Sequence, residues 1–132
     1  MNRWCWMALL VTGAAQAAPA NVAAGKVAFQ RCVQCHAVGP GARAGFAPQL
    51  NGIVGRAAGS TRDFAYSTVL KNAPFHWTEQ NLAGFLHAPA DFLPGTKMSF
   101  WGIGDRQELT DLIAYMKTFS AFSPAPATTA GK

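Results

Sequence analysis

An all-α domain of about four short helices, joined by long ordered loops and wrapped around one large apolar cofactor, is the fold that the sequence predicts. Three observations predict it. Capping residues open stretches of helical apolar spacing, no stretch reads convincingly as a strand, and the resulting helices make a thin core for a chain of 132 residues. A bound group of large apolar surface would fill that deficit.

Asn21 caps the first helix, in which Val22, Phe29 and neighbouring alanines recur at helical spacing as far as about Arg31. Gly25, four residues before Phe29, offers a close-packing notch on the same face. From Ala37 to Arg62 the chain is rich in Gly, Ala and Pro without a period. Its apolar anchors Phe46, Leu50 and Ile53 mark it as an ordered loop, and a loop this long in a small domain wraps something. A short helix is expected over Tyr66 to Asn72. Thr78 caps a third helix ending near His87, where Pro89 blocks continuation. Ala88 to Gly104 reads as a second irregular stretch. Asp105 and Glu108 form a capping box for the last helix, along which Leu109, Leu112, Ile113 and Met116 repeat at helical spacing. Phe119 to Lys132 has no period after Phe122 and reads as a loose tail.

The first residues read as an export signal. Asn2-Arg3 supplies the positive start, Trp4 to Ala15 is uncharged and almost wholly apolar, and Ala15-Gln16-Ala17 fits the small-x-small cleavage pattern. The apolar stretch falls well short of the ~20 residues that a spanning helix needs. Cys5 stands at its start, which does not fit a lipid-modified cleavage site. The division expected is a leader over 1–17 removed after Ala17, a folded domain over 18–122 and a tail over 123–132, with the mature chain in the periplasm and not inserted in the membrane. The formal charge of +5 falls to +4 without Arg3, ten basic residues then standing against six acidic. The basic residues are scattered singly between Lys26 and Lys117, without a run or a nucleic-acid module, so nucleic acid is excluded as a partner.

The three cysteines are an odd count for a disulfide scaffold, and loss of Cys5 leaves the pair in Cys32-Val33-Gln34-Cys35-His36. This is the attachment signature for one c-type haem. Two intervening residues place both thiols on one side of a tight turn, where they can add to two vinyl groups of one porphyrin, and the adjacent imidazole faces the iron. A structural zinc would want four ligands, a thioredoxin-like pair a βαβ setting, and a plain disulfide would leave His36 without a role. For the second axial position the mature chain offers Met98, Met116, His76 and His87. Met116 lies in the apolar stripe of the last helix, His87 at a helix C-terminus that favours it without a metal, and His76 just before a helix start. Met98 lies in the constrained loop from Pro94 to Phe100, far along the chain from His36, and is the ligand favoured.

On these residues the chain resembles class I cytochrome c over about Gly25 to Ser120. Besides Cys32 to His36, the resemblance rests on Ala47-Pro48-Gln49-Leu50, Gly52-Ile53-Val54-Gly55-Arg56, Phe64-Ala65-Tyr66-Ser67, Trp77, Pro94-Gly95-Thr96-Lys97-Met98-Ser99-Phe100 and Asp111 to Lys117. It implies that the Pro48 carbonyl accepts from the second nitrogen of His36, and that Arg56, Tyr66 and Trp77 bond or screen a buried propionate. It also implies that Gly25 and Phe29 pack against Leu112 and Tyr115, and that Phe100 lies beside the haem edge. Phe85 departs from the pattern, standing where many relatives carry a tyrosine whose hydroxyl reaches the methionine sulfur. The function implied is that of a monomeric one-electron carrier with His/Met ligation, not an enzyme. Its partners would be redox proteins with acidic docking surfaces, steered by Lys26, Lys71 and Lys97 around the haem edge. A peroxidase or gas binder would need an open distal face with an acid–base group, and no such group stands beside Met98 in the sequence.

Overall fold

The structure is a computed structural model that describes residues 16–123. The leader over 1–17 and the tail over 123–132 therefore lie outside the described residues, except at their inner ends. Five α-helices are found among those residues: α1 Val22–Ala28, α2 Thr68–Lys71, α3 Glu79–His87, α4 Pro89–Phe92 and α5 Arg106–Lys117. No strand is found among them, and a single antiparallel bridge joins Ala57 to His76. None of the helices is long and apolar enough to cross a membrane.

The two terminal helices cross at the expected notch. A Cβ on Gly25 would overlap the Asp111 carbonyl and lie 2.8 Å from the Tyr115 Cβ, so only glycine lets α1 approach α5 this closely. One turn on, the Phe29 and Tyr115 rings meet with centroids 5.4 Å apart. A buried carboxylate fixes the angle of entry. Asp111 Oδ1 accepts from the Asn21 backbone N–H at 2.8 Å and from Gln107 Nε2 at 2.9 Å, while the Asn21 side chain caps Ala24 N–H at 3.0 Å. The chain then continues through a 3-10 turn, Phe29–Arg31, so helical structure does reach Arg31.

Other ends follow the caps and depart from expectation in four places. Ser67 caps Leu70 N–H and confines α2 to four residues, shorter than the Tyr66 to Asn72 read from the sequence. Pro89 ends α3 as expected but also opens α4 inside a stretch expected to be irregular. Its missing N–H and fixed φ suit a first helical turn, and Phe92 packs back against Gly84, where a Cβ would sit 3.1 Å from the ring. Asp105 Oδ1 accepts from Glu108 N–H at 2.7 Å, but the Glu108 carboxylate turns away to Arg31, also at 2.7 Å, so only half of the capping box forms. Phe119, expected in the tail, stacks edge-on against Tyr115, and Ser120–Phe122 form a last 3-10 turn.

The core is hollow. Of the thirteen buried apolar residues, seven line one cavity of about 410 Å³: Ile53, Trp77, Leu82, Phe85, Leu86, Leu112 and Met116. Helices alone do not close this domain, and the space they leave is apolar and of the size that binds a large ligand.

Candidate functional site

Two loops and three helices converge on that cavity. The turn after α1 presents Cys32, Cys35 and His36 along one wall. It is tight because Cys35 N–H and His36 N–H both donate to the Cys32 carbonyl, at 3.1 and 2.8 Å. His36 Nδ1–H donates to the Pro48 carbonyl at 2.7 Å, which leaves the Nε2 lone pair free. Burial, with a smaller push from Arg56, holds the His36 pKa below its usual 6.5 against the opposing Pro48 bond, so the ring is neutral near pH 7. Burial pushes the Cys32 thiol up, opposed by Arg31. That is the reverse of what a nucleophilic redox dithiol requires.

The loop after Pro48 is braced by Asn51 and Gln49, for which the sequence analysis gave no role, and by Arg56. Asn51, buried, accepts from Gly39 N–H at 2.7 Å and returns a bond to the Gly39 carbonyl at 2.8 Å, while Gln49 Oε1 accepts from Asn51 N–H at 2.7 Å. Arg56 donates from both terminal nitrogens, to the Asn51 carbonyl at 3.1 Å and the Gln49 carbonyl at 2.9 Å. Burial lowers its pKa, Tyr66 and Asp63 acting in the opposite sense. The signal available in the sequence was an Asn before a glycine that must turn: Gly52 has φ +61°.

Three of the expected site residues border the cavity. Arg56, Tyr66 and Trp77 all line it. The Tyr66 hydroxyl is engaged with Thr61 Oγ1 at 2.6 Å, a partner not foreseen. Among the described residues no hydrogen bond engages the Trp77 indole N–H. Trp77 is anchored through its backbone, donating to the Arg56 carbonyl at 2.9 Å and accepting from Gly55 N–H at 2.6 Å, and its ring packs on Phe75, Phe85 and Phe92.

Met98, Phe100 and Phe85 also line the cavity, and so does Met116, which was expected only as packing. Met116 is buried one turn after Leu112 on α5, whereas Met98 is half-buried in a loop without regular structure and its N–H donates to Thr96 Oγ1 at 3.3 Å. His76 and His87 take no part in the lining. His87 Nδ1–H instead donates to the Ile103 carbonyl at 2.9 Å and clamps the returning loop onto α3. Of the three lysines expected around the edge, only Lys97 lines the cavity, and Arg31 joins it there.

The donor set fits a haem c: two thiols for two thioether bonds, an imidazole with its free nitrogen on the same wall, two thioether sulfurs from other segments, and cationic and N–H donors for carboxylates. Among the described residues no three His, Cys, Asp or Glu side chains converge as a bare metal site would require.

Phe85 sits beside Trp77, ring centroids 5.1 Å apart, and is 6% exposed. Phe85→Tyr would place a hydroxyl in this apolar wall. Were Met98 to ligate a haem iron, a hydroxyl donating to its sulfur would draw density from that bond and favour the ferrous state, so the midpoint potential would rise modestly. A redox titration with parallel thermal melts checks this. A fall in potential with Met98 still bound would show the sign to be wrong, and a hydroxyl without a partner would instead cost about 1–3 kcal/mol of stability.

The Cytochrome c family profile matches residues 22–120. The chain is 42% identical over 113 residues to cytochrome c2 of Blastochloris viridis, covering 86% of this chain and 89% of that one. It is 46% identical over 108 residues to cytochrome c2 of Agrobacterium tumefaciens (strain II Chrys), covering 80% and 97%. Among solved structures, cytochrome cH from Methylobacterium extorquens superposes with a TM-score of 0.70 at 39% identity, covering 74% of this chain and 98% of that one. Cytochrome c2 from Rhodospirillum centenum gives 0.71 at 35%, covering 76% and 98%.

Proposed function

Because the chain belongs to the cytochrome c family, whose members carry one covalently bound haem c, we propose that it is a periplasmic one-electron carrier in which Cys32 and Cys35 hold the haem and His36 and Met98 ligate its iron. The haem supplies reversible one-electron chemistry between ferrous and ferric iron. The single observation that carries the reading is the His36 wall: two thiols and an oriented, neutral imidazole on one side of an apolar cavity that a methionine loop also lines.

The residues of the chain make that chemistry fast and selective. Pro48, beside the loop that Gln49, Asn51 and Arg56 brace, fixes the imidazole in one tautomer and one orientation. Met98 brings a neutral, soft sulfur, which favours ferrous iron and raises the potential. The apolar walls of Leu82, Phe85, Leu86 and Leu112 exclude water and disfavour the extra charge of the ferric state. Arg56, Tyr66 and Trp77 face the carboxylates of the bound group. With His36 and Met98 both holding the bound group, no ligand would have to enter or leave, which would separate a carrier from a peroxidase. Lys97 and Arg31 at the opening favour partners with acidic docking surfaces, and the chain acts as a monomer.

The exported protein should gain the mass of one haem on a chain beginning at Ala18, keep it through acid–acetone extraction, and exchange one electron per chain in a redox titration. A Cys32–Cys35 disulfide without haem would overturn the assignment.

A further inference from the structure

The loop that carries Met98 runs from the end of α4 to the N-cap Asp105, and few hydrogen bonds hold it. Among the described residues, those on the outgoing side are local. Leu93 N–H donates to the Pro89 carbonyl at 3.0 Å, Thr96 N–H to the Leu93 carbonyl at 3.0 Å, and Met98 N–H to Thr96 Oγ1 at 3.3 Å. On the returning side there are two, and both are at Ile103. Its N–H donates to the Leu86 carbonyl at 2.9 Å, and its carbonyl accepts from His87 Nδ1 at 2.9 Å. A carbonyl can only accept, so the His87 ring carries a proton on Nδ1.

The contact is built closely. Ile103 is 1% exposed, and Gly102, at φ +95°, lies so near His87 that a Cβ would overlap the His87 carbonyl. Both backbone groups of Ile103 are therefore engaged by the last turn of α3. Among the described residues, His87 is the only side chain outside the loop that forms a hydrogen bond with it. The helix that presents His87 is itself fixed. Leu82, Phe85 and Leu86 are buried in the cavity wall, and Pro89 stops α3 just after His87.

We propose that His87 is a positioning residue for Met98: its bond to the Ile103 carbonyl holds the returning arm of the loop against α3 and so limits how often the sulfur leaves the iron. The inference rests on the reading of Met98 as an axial ligand. Ile103 lies five residues after Met98. While both of its backbone groups are held, the loop is short and closed at each end, and the sulfur has little room to withdraw. Without the imidazole, water takes the carbonyl, only the Leu86 bond keeps the arm in place, and local opening becomes more frequent. The resting position of Met98 stays the same. What changes is the population of the open form, and with it the access of a competing ligand.

The test follows imidazole binding to ferric, haem-loaded protein through loss of the far-red charge-transfer band. Well below saturation, the second-order rate reports how much of the protein has its loop open. His87→Ala should raise that rate about fivefold, the factor by which loss of one hydrogen bond of ordinary net strength shifts a two-state equilibrium. His87→Asn keeps an N–H donor one bond beyond Cγ and should return the rate close to wild type. Before imidazole is added, both variants should match wild type in the band and in midpoint potential. Amide exchange at Ile103 N–H should quicken in His87→Ala and not in His87→Asn. Thr78→Ala removes the cap at the other end of α3, where Thr78 Oγ1 accepts from Asn81 N–H at 3.1 Å. It should lower stability by a comparable amount yet leave the imidazole rate unchanged. Equal rates for His87→Ala and wild type would overturn the proposal. So would His87→Asn or Thr78→Ala as fast as His87→Ala, because bulk or general helix stability would then be the cause. Wild-type protein without the far-red band, in which Ile103 exchange still depends on His87, would instead overturn the assignment of Met98 itself.

Discussion

Met98→Ala should open the iron. Ferric protein should lose the weak far-red charge-transfer band of methionine ligation, and ferrous protein should bind carbon monoxide at neutral pH. The midpoint potential should fall by on the order of 0.1 V or more, within the ~0.8 V range over which axial ligands act. The physical reason is that a neutral, soft sulfur is replaced by water, a harder ligand that stabilises ferric iron. Met116→Leu is the informative companion, since both methionines line the same cavity. Met116 is 3% exposed in the apolar stripe of α5, where a swap of similar volume costs under about 1.5 kcal/mol and should leave the band, the potential and the closed iron unchanged. Loss of the band in Met116→Leu and its survival in Met98→Ala would reverse the ligand assignment. Ready binding of carbon monoxide by the wild type would turn the reading towards ligand binding or peroxidase chemistry.

Gly25→Ala should be the most damaging methyl group that can be added to the surface between the terminal helices. In an exposed helix the change would stabilise by up to about 1 kcal/mol, because glycine is the poorer helix former. Here the new carbon would overlap the Asp111 carbonyl and sit 2.8 Å from the Tyr115 Cβ. Neither is the free end of a flexible side chain, so α1 and α5 have to move apart, loosening the Phe29–Tyr115 contact and the Asn21–Asp111 bond together. Net destabilisation of about 2 kcal/mol or more is expected, which for a domain of this size lowers the melting temperature by roughly 10 °C. Gly104→Ala serves as the control. Nothing lies within 4 Å of a Cβ there and its φ is not positive, so thermal unfolding of the haem-loaded variant should match wild type. Equal stability of Gly25→Ala and wild type would mean that the helices do not cross as closely as described.

The parts of the site legible in the sequence are those in which local spacing is itself the chemistry. Cys32, Cys35 and His36 are adjacent in the chain, so their convergence follows from one turn. The caps Asn21, Thr78 and Asp105 work within three residues of themselves, and each accepts the bond expected of it. Local rules also account for two errors. Pro89 was read as a stop and proves to be a stop for α3 and a start for α4, because both readings follow from the same missing N–H. Glu108 was assigned to its own helix cap, but a cation from the turn after α1 competes for it, and that competitor is 77 residues away in sequence.

Distance along the chain divides what the sequence determined from what the fold decided. The sequence by itself determined the all-α class, the starts of α1, α3 and α5, the haem attachment signature and the shortage of core that calls for a large apolar ligand, since each rests on contacts between near neighbours or on composition. Only the tertiary structure decided that Asn51 and Gln49 hold the loop bearing Pro48, that Tyr66 spends its hydroxyl on Thr61, and that Met116 reaches the cavity wall. It alone placed Lys97 and Arg31 in the cavity lining, apart from Lys26 and Lys71. Those outcomes depend on which distant backbone groups are left without partners, and on which side of a packed segment a residue falls, once α1, α3 and α5 have packed together. No periodicity or motif within a single stretch encodes that arrangement.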